Sequence, residues 1–148
     1  MTPPRLSRVL VDTNVLVSAT DASRAQNLVA LAALEEWPSQ GIRLYTSTQV
    51  LREYLVVATR PTAANGLGLT LGDALINVSQ FTRVVQVLPD THKTWEELWA
   101  ILSTSTLTGT RIHDANIAAC ARAHGIETIL TANTADFADL PVATEELA

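Results

Sequence analysis

The stretch that decides the fold lies near the N-terminus, where residues 9–16 read Val9-Leu10-Val11-Asp12-Thr13-Asn14-Val15-Leu16. Its first three residues are wholly apolar and two are β-branched, which is typical of a strand buried on both faces of a parallel sheet. The run ends abruptly at Asp12. Because ligand sites in parallel α/β sheets lie beyond the carboxyl ends of the strands, Asp12 is the first candidate site residue.

Strand-like and helix-like segments alternate along the rest of the chain. Further strands are predicted at residues 43–45, 84–88 and 128–130, with a short edge strand at 142–143. Helices are predicted at residues 23–38, 46–59, 70–82, 91–104 and 111–124, separated by loops at 62–69 and 103–110. Strands that alternate with helices predict an α/β fold, a three-layer α/β/α sandwich with a mostly parallel sheet of four or five strands.

Four sequence signals set the predicted helix boundaries. Ser23 with Gln26, and Thr46 with Gln49, form capping-box patterns that start the first two predicted helices. Pro61 stops the second of these helices, since the residue before a proline avoids helical geometry. Gly125 closes the helix that ends at His124, as a glycine at the first position beyond a helix typically does.

Composition restricts the class of protein. The 148 residues are 47% hydrophobic and 17% charged, which predicts one globular domain over residues 1–148. The net charge of −5 excludes nucleic-acid binding through bulk positive charge. The single cysteine, Cys120, has no partner for a disulfide and is interpreted as a small buried apolar residue. Residues 1–8 lack the apolar segment of a signal peptide, so a cytoplasmic location is expected.

Four acidic residues occupy positions that suggest a catalytic or metal-binding role. Asp12 and Asp136 each follow a predicted strand, where a helix cap or a turn residue is the alternative interpretation. Glu53 and Asp114 each share a helix face with apolar residues, within about 60° at 100° per residue. A carboxylate on such a face must be paired, neutralised or bound to a cation. The structural alternatives are a salt bridge to an arginine for Glu53, and a first-turn acid favoured by the helix dipole for Asp114.

Taken together, the four acids predict a metal site. Several like charges at one end of a parallel sheet cannot all ionise without a cation. Oxygen ligands, with no Cys or His pair at metal-binding spacing, favour Mg²⁺ or Mn²⁺ over Zn²⁺. Hard cations held by Asp and Glu typically act on phosphate esters, because they activate water and neutralise the phosphate.

At four places the chain resembles the PIN-domain nucleases. Residues 9–16 are similar to the opening motif of that family, and Glu53 in residues 48–54 resembles its second acidic site. Asp114 in Ile112-His113-Asp114-Ala115-Asn116 resembles the third site, and Asp136 in residues 130–137 resembles the fourth. The four motifs follow the order and spacing of the family, so the resemblance covers nearly the whole chain.

The resemblance is greatest to the small VapC-type toxins of type II toxin–antitoxin pairs. It implies a Mg²⁺-dependent endoribonuclease, usually a homodimer, that a partner antitoxin holds inactive. It also implies that Asp12, Glu53, Asp114 and Asp136 bind the metal or orient the attacking water. In the same comparison, four polar residues would hold those carboxylates in place. They are Thr13, Asn14, Thr131 and Asn133.

Four other residues are candidates of lower rank. Arg111 is a candidate phosphate contact, with an ordinary exposed arginine as the equal alternative. His113 is one residue from Asp114 and therefore about 100° away on the helix, which favours a structural or supporting role over a general base. Trp95 and Trp99 could stack on bases, but their amphipathic helix favours core packing or a dimer face.

Two other functions are open at this point. An aspartyl phosphatase or phosphotransferase would use Asp12 as nucleophile, but such enzymes usually need a second acid where this chain has Asn14. A non-catalytic interaction domain would use the acidic pocket to bind a basic peptide, and an arginine inserted there would displace the metal.

Overall fold

Five strands form one sheet in the computed structural model, which describes residues 7–148. They are β1 (Arg8–Val11), β2 (Arg43–Ser47), β3 (Val85–Leu88), β4 (Thr128–Thr131) and β5 (Ala143–Glu146). Their spatial order is β3-β2-β1-β4-β5, and every neighbouring pair is parallel. The carboxyl ends of all five strands therefore lie at the same edge of the sheet.

Six α-helices connect the strands. They are α1 (Thr13–Thr20), α2 (Asn27–Glu36), α3 (Thr48–Thr59), α4 (Leu71–Phe81), α5 (His92–Ser103) and α6 (Arg111–Ala123). Short 3₁₀ helices occur at Trp37–Gln40, Thr62–Ala64 and Thr134–Phe137. Helix α1 packs on α2 and α3, α3 packs on α4, and α5 packs on α6. The predicted α/β/α architecture and parallel sheet are confirmed.

The two central strands lie in the core. Val9, Leu10 and Val11 of β1 have no exposed surface, and all four residues of β4 are buried. Helix α6 contributes a buried segment of small residues, Ala118 to Ala121, which includes Cys120. Burial on both faces explains why the sequence of β1 is uniformly apolar and does not alternate between apolar and polar.

Two predicted helix starts were wrong. Helix α2 begins at Asn27, and Ser23 instead donates from its backbone and its hydroxyl to Oδ1 of Asp21, at 3.0 and 2.6 Å. That local turn competes with helix formation. The N-cap of α3 is Ser47, whose Oγ accepts from Val50 N at 3.1 Å, while the Thr46 hydroxyl donates to Val11 O in the sheet.

The edges of the chain differ slightly from prediction. Residues 13–20, for which the sequence pattern predicts no element, form α1 with Asp12 as the N-cap. The last strand, predicted at residues 142–143, lies at residues 143–146, so it starts one residue later and ends three residues later. The expectation of no signal peptide depends largely on residues 1–6, which lie outside the described residues. Within residues 7–148, no helix has the length and apolar character needed to cross a membrane.

Candidate active site

The four predicted carboxylates lie on elements that meet at the carboxyl edge of the sheet. Asp12 follows β1, and Asp136 lies in the 3₁₀ helix after β4, the strand beside β1. Asp114 lies in the first turn of α6, and Glu53 lies in the middle of α3. The charges of Glu53 and Asp114 both raise the pKa of Asp12, and the charge of Asp136 raises that of Asp114. The structure therefore brings all four acids into one electrostatic cluster.

Asp12 is the most buried of the four, with 8% of its surface exposed. Its Oδ1 accepts from the backbone N–H of Thr13 at 2.7 Å. Its Oδ2 accepts from the Thr131 hydroxyl at 2.9 Å and from Asn14 Nδ2 at 3.3 Å. Burial raises the pKa of Asp12 to about 6 despite these donors, and the neighbouring carboxylates add to the effect. An anion held this way is stabilised by any cation that reaches it.

Thr131 and Asn14 form the network that fixes Asp12. The Thr131 hydroxyl accepts from Asn14 Nδ2 at 3.1 Å and from the backbone N–H of Asn133 at 3.0 Å. Asn14 Oδ1 accepts from the backbone N–H of Ala132 at 3.0 Å. Asn133 acts here through its main chain, since its side chain is exposed. The end of β4 thus holds the carboxylate at the end of β1.

Glu53 is held by neutral donors. Thr13 donates its hydroxyl to Oε2 at 2.9 Å, and Gln49 donates from Nε2 to Oε1 at 3.0 Å. None of the ion pairs within residues 7–148 involves Glu53, so the alternative of a salt bridge to an arginine is wrong. In the part of the chain that the structure describes, Glu53 thus has hydrogen-bond donors and no positively charged side chain paired with it.

Sequence reasoning missed Gln49, which connects α3 to α6. Its Nε2 also donates to the carbonyl of His113 at 2.9 Å, and its Oε1 accepts from Asn116 Nδ2 at 2.6 Å. Only 2% of Gln49 is exposed. The available signal was its position four residues before Glu53, which places both side chains on the same face of a helix.

Asp114 pairs with Arg111 on the same helix. Arg111 Nε lies 3.3 Å from Asp114 Oδ2, and Arg111 Nη2 donates to the backbone carbonyl of Asp136 at 2.9 Å. Burial is the largest cause that raises the pKa of Asp114, followed by the charge of Asp136, while Arg111 opposes both. Arg111 therefore links α6 to the segment that carries the fourth acid.

The chemistry of the cluster fits a hard divalent cation. Its donors are carboxylate oxygens, and their mutual repulsion is what such a cation would relieve. Asp12, Glu53, Asp114 and Asp136 are the residues that would hold it. Within residues 7–148, no three acidic, histidine or cysteine side chains already surround one point that could hold a metal ion. The carboxylates would therefore have to approach one another to share one ion. Each oxygen of Glu53 has a lone pair left beside its hydrogen bond from Thr13 or Gln49, and Asp114 is paired with Arg111.

The remaining candidates lie outside this cluster. His113 is exposed and contributes its backbone carbonyl to Gln49. Trp95 and Trp99 are 54% and 64% exposed, with ring centroids 5.9 Å apart, which rules out core packing and leaves the alternatives of a dimer face and of stacking on bases. The inner face of α5 is formed instead by Thr94, Leu98 and Ile101.

Solved structures of toxin–antitoxin proteins share this fold. VapBC2 from Rickettsia felis, bound to a DNA fragment from its promoter, is similar with a TM-score of 0.71 and 17% identity, covering 94% of this chain and 98% of that one. A toxin–antitoxin complex from Klebsiella pneumoniae has a TM-score of 0.63 and 24% identity, covering 95% and 98%. The sarcin–ricin loop cleaving toxin VapC20 from Mycobacterium tuberculosis has a TM-score of 0.61 and 22% identity, covering 82% and 86%.

Sequence comparisons identify the family. Comparison with curated protein sequences gives no match. The sequence profile of the PIN domain matches residues 9–142, a span that contains all four carboxylates, strands β2 to β4 and all of β1 except Arg8. The chain belongs to the PIN-domain family.

Proposed function

We propose that this chain is an endoribonuclease that depends on Mg²⁺ or Mn²⁺ and hydrolyses phosphodiester bonds in RNA. The observation that carries the proposal is the cluster of four carboxylates at the carboxyl edge of a PIN-domain sheet, where burial and then the charges of neighbouring carboxylates raise the pKa of Asp12 and of Asp114. A bound divalent cation would activate water and neutralise the phosphate. Membership of the family and the similarity to a toxin that cleaves the sarcin–ricin loop support the choice of RNA.

The chain's own residues would orient this chemistry. Asp12 is fixed by three donors, so its oxygens are available in one orientation. Thr13 and Gln49 hold Glu53 in the same way. Arg111 is the one arginine in contact with the cluster among the described residues, and we propose it as a contact to the phosphate. With ten Lys and Arg in the chain, binding of RNA depends on the cation and on a few such contacts.

We further propose that the protein is the toxin of a type II toxin–antitoxin pair. The similar structures include several toxin–antitoxin complexes, which supports an antitoxin partner. A groove of about 570 Å³ between α1, α2 and α4 is lined by apolar residues that include Leu31, Leu34 and Phe81. Glu35 and Asp73 also line this groove. The groove fits an antitoxin segment with an apolar face and flanking basic residues. Elsewhere on the same partner, a basic side chain placed among the four carboxylates would block the acidic site.

A second copy of the chain is the other proposed partner. The exposed pair Trp95 and Trp99 on α5 supports a homodimer, because the free energy falls when a second copy covers two large aromatic side chains that are in contact with water. A dimer would also bring the few basic residues of two chains together for RNA.

Cleavage of RNA by the purified protein tests the enzymatic proposal. We expect cleavage with Mg²⁺ or Mn²⁺, none in EDTA, and loss of cleavage in Asp12→Asn and Asp114→Asn. Glu127→Gln is the matched control, because this exposed acid precedes β4 at the opposite edge of the sheet. Cleavage that persists in Asp12→Asn at matched folding contradicts the proposal. Trapping of a phosphorylated Asp12 would favour a phosphotransferase, and tight peptide binding without cation binding would favour an interaction domain.

A further inference from the structure

Arg111 occupies an unusual position inside the acidic cluster. Its Nε lies 3.3 Å from Asp114 Oδ2, yet this buried nitrogen has no hydrogen bond of acceptable geometry. Its Nη2 is well bonded to the carbonyl of Asp136 at 2.9 Å. The guanidinium is thus fixed at one end and held mainly by charge at the other.

Arg111 is also the one positive side chain paired with any of the four acids in residues 7–148. Its positive charge lies against the Asp114 carboxylate and opposes the repulsion from Asp136. A divalent cation needs the same carboxylate, and a charge of +1 beside that carboxylate repels it. If Arg111 and a divalent cation both contacted Asp114 in the present arrangement, their positive charges would lie close together and repel each other.

We propose that Arg111 is a resident counter-ion of the cation site, which holds Asp114 when no divalent cation is bound and releases it when one binds. The bond from Nη2 to Asp136 keeps the guanidinium at the site after release, while Nε, which has no hydrogen bond to lose, leaves Asp114. Arg111 is a positioning residue in this role. It lowers the affinity for the divalent cation, and without that cation it keeps Asp114 next to the segment that carries Asp136. The inference rests on the proposed cation site.

Titration calorimetry with Mn²⁺ in the absence of RNA tests this role. We expect Arg111→Gln to bind Mn²⁺ at least about fivefold more tightly than the unmodified chain, since a charge in direct contact with a ligand is removed. Arg52→Gln is the matched control, because Arg52 is exposed and next to Glu53 in sequence, and we expect its affinity to change less than about twofold. Unchanged or weaker binding by Arg111→Gln overturns the inference.

A measurement on the unmodified chain covers the case in which Arg111→Gln does not fold. The Nε–H resonance of Arg111, assigned by its loss in Arg111→Lys, is expected to shift on addition of Mg²⁺ while that of Arg52 stays in place. An Arg111 resonance that does not respond at saturating Mg²⁺ overturns the inference but leaves the cation site intact. A chain that binds neither Mn²⁺ nor Mg²⁺ overturns the proposed function as well, so the two failures are distinguishable.

Discussion

The hydroxyl of Thr131 donates to Oδ2 of Asp12 at 2.9 Å, which joins the ends of two neighbouring strands across 119 positions of sequence. The same hydroxyl oxygen accepts from Asn14 and from the backbone of Asn133. We expect Thr131→Val to lower the free energy of unfolding by about 2–3 kcal/mol, because buried polar groups lose their partner. Urea denaturation measures this change. Thr128→Val, the same substitution in a buried position of the same strand, is expected to change it by less than about 1 kcal/mol, and equal losses would contradict the account.

The raised pKa of Asp12 makes the metal-free protein less stable at neutral pH. A carboxylic acid whose pKa is about 6 in the folded chain and 3.8 in the unfolded chain retains its proton longer when folded, so the free energy of unfolding falls as pH rises from about 4 to about 6. We expect Asp12→Asn to be more stable than the unmodified chain near pH 7 in EDTA. The free energy of unfolding should rise by about 1–2 kcal/mol. This is less than the shift in the pKa of Asp12 alone implies, because the amide of Asn cannot accept all three hydrogen bonds that the carboxylate accepts.

The pH dependence provides the control for this prediction. Toward pH 4 the Asp12 carboxyl is protonated in the folded chain, so the difference between Asp12→Asn and the unmodified chain should shrink. Urea denaturation at both pH values gives the comparison. An Asp12→Asn variant that is less stable than the unmodified chain near pH 7 would show that burial of the ionised Asp12 does not destabilise the folded protein.

Gln49 should affect both stability and cation binding. Gln49→Ala removes the donor to Glu53 Oε1 and the acceptor of Asn116 Nδ2, and it leaves a buried space between α3 and α6. We expect a loss of about 2–3 kcal/mol in the free energy of unfolding and a weaker affinity for Mn²⁺, because Glu53 is no longer oriented. Gln80→Ala, an exposed glutamine on α4, is the control. Unchanged Mn²⁺ affinity in folded Gln49→Ala would refute this role for Gln49.

The exposed tryptophans predict a concentration-dependent change of oligomeric state. We expect sedimentation velocity to show a dimer of the unmodified chain and mainly monomer for Trp95→Ser/Trp99→Ser, because the aromatic surface of α5 is removed. Leu28→Ser, which removes a more exposed apolar side chain on α2, is the control and should leave the dimer unchanged. A chain that is monomeric at every concentration contradicts the proposed homodimer.

Cys120 should be chemically inert in the folded protein. Burial raises the pKa of its thiol to about 12, and the negative charge of Asp90 adds to the rise. We expect no modification by iodoacetamide near pH 8 in native buffer and complete modification in urea, since the thiolate is the reactive form. Mass spectrometry distinguishes the two states, and rapid native labelling would contradict the observed burial.

The central sheet could be predicted from sequence because strands buried on both faces carry an unmistakable composition. Val9-Leu10-Val11 and Thr128-Ile129-Leu130 are both strands in the structure, and the parallel order follows from their alternation with helices. Helix starts were harder, since several Ser and Thr residues near each start are capable of capping. Ser47, and not Thr46, caps α3 because the Thr46 hydroxyl is used by the sheet.

The four acids of the candidate site were predicted, and the family resemblance also gave Thr13, Asn14 and Thr131, whose side chains contact Glu53 or Asp12 in the structure. Asp12 and Asp136 follow strands, and Glu53 and Asp114 are conspicuous on their helices, so the four positions could be selected in advance. The contacts made by Gln49 and Arg111 depend on tertiary packing that local sequence does not encode. Gln49 contacts the backbone of His113 across 64 positions, and Arg111 contacts the backbone of Asp136 across 25. The sequence also could not distinguish core packing from a dimer face for Trp95 and Trp99, because an amphipathic pattern does not show what covers the apolar face of a helix.

Anomalous diffraction from a crystal soaked in Mn²⁺ tests the central claim most directly. The account predicts a peak coordinated by the carboxylates of Asp12 and Asp114, with Glu53 and Asp136 beside it, and no such peak in crystals of Asp12→Asn. Crystals at saturating Mn²⁺ that show no peak among these four carboxylates would contradict it.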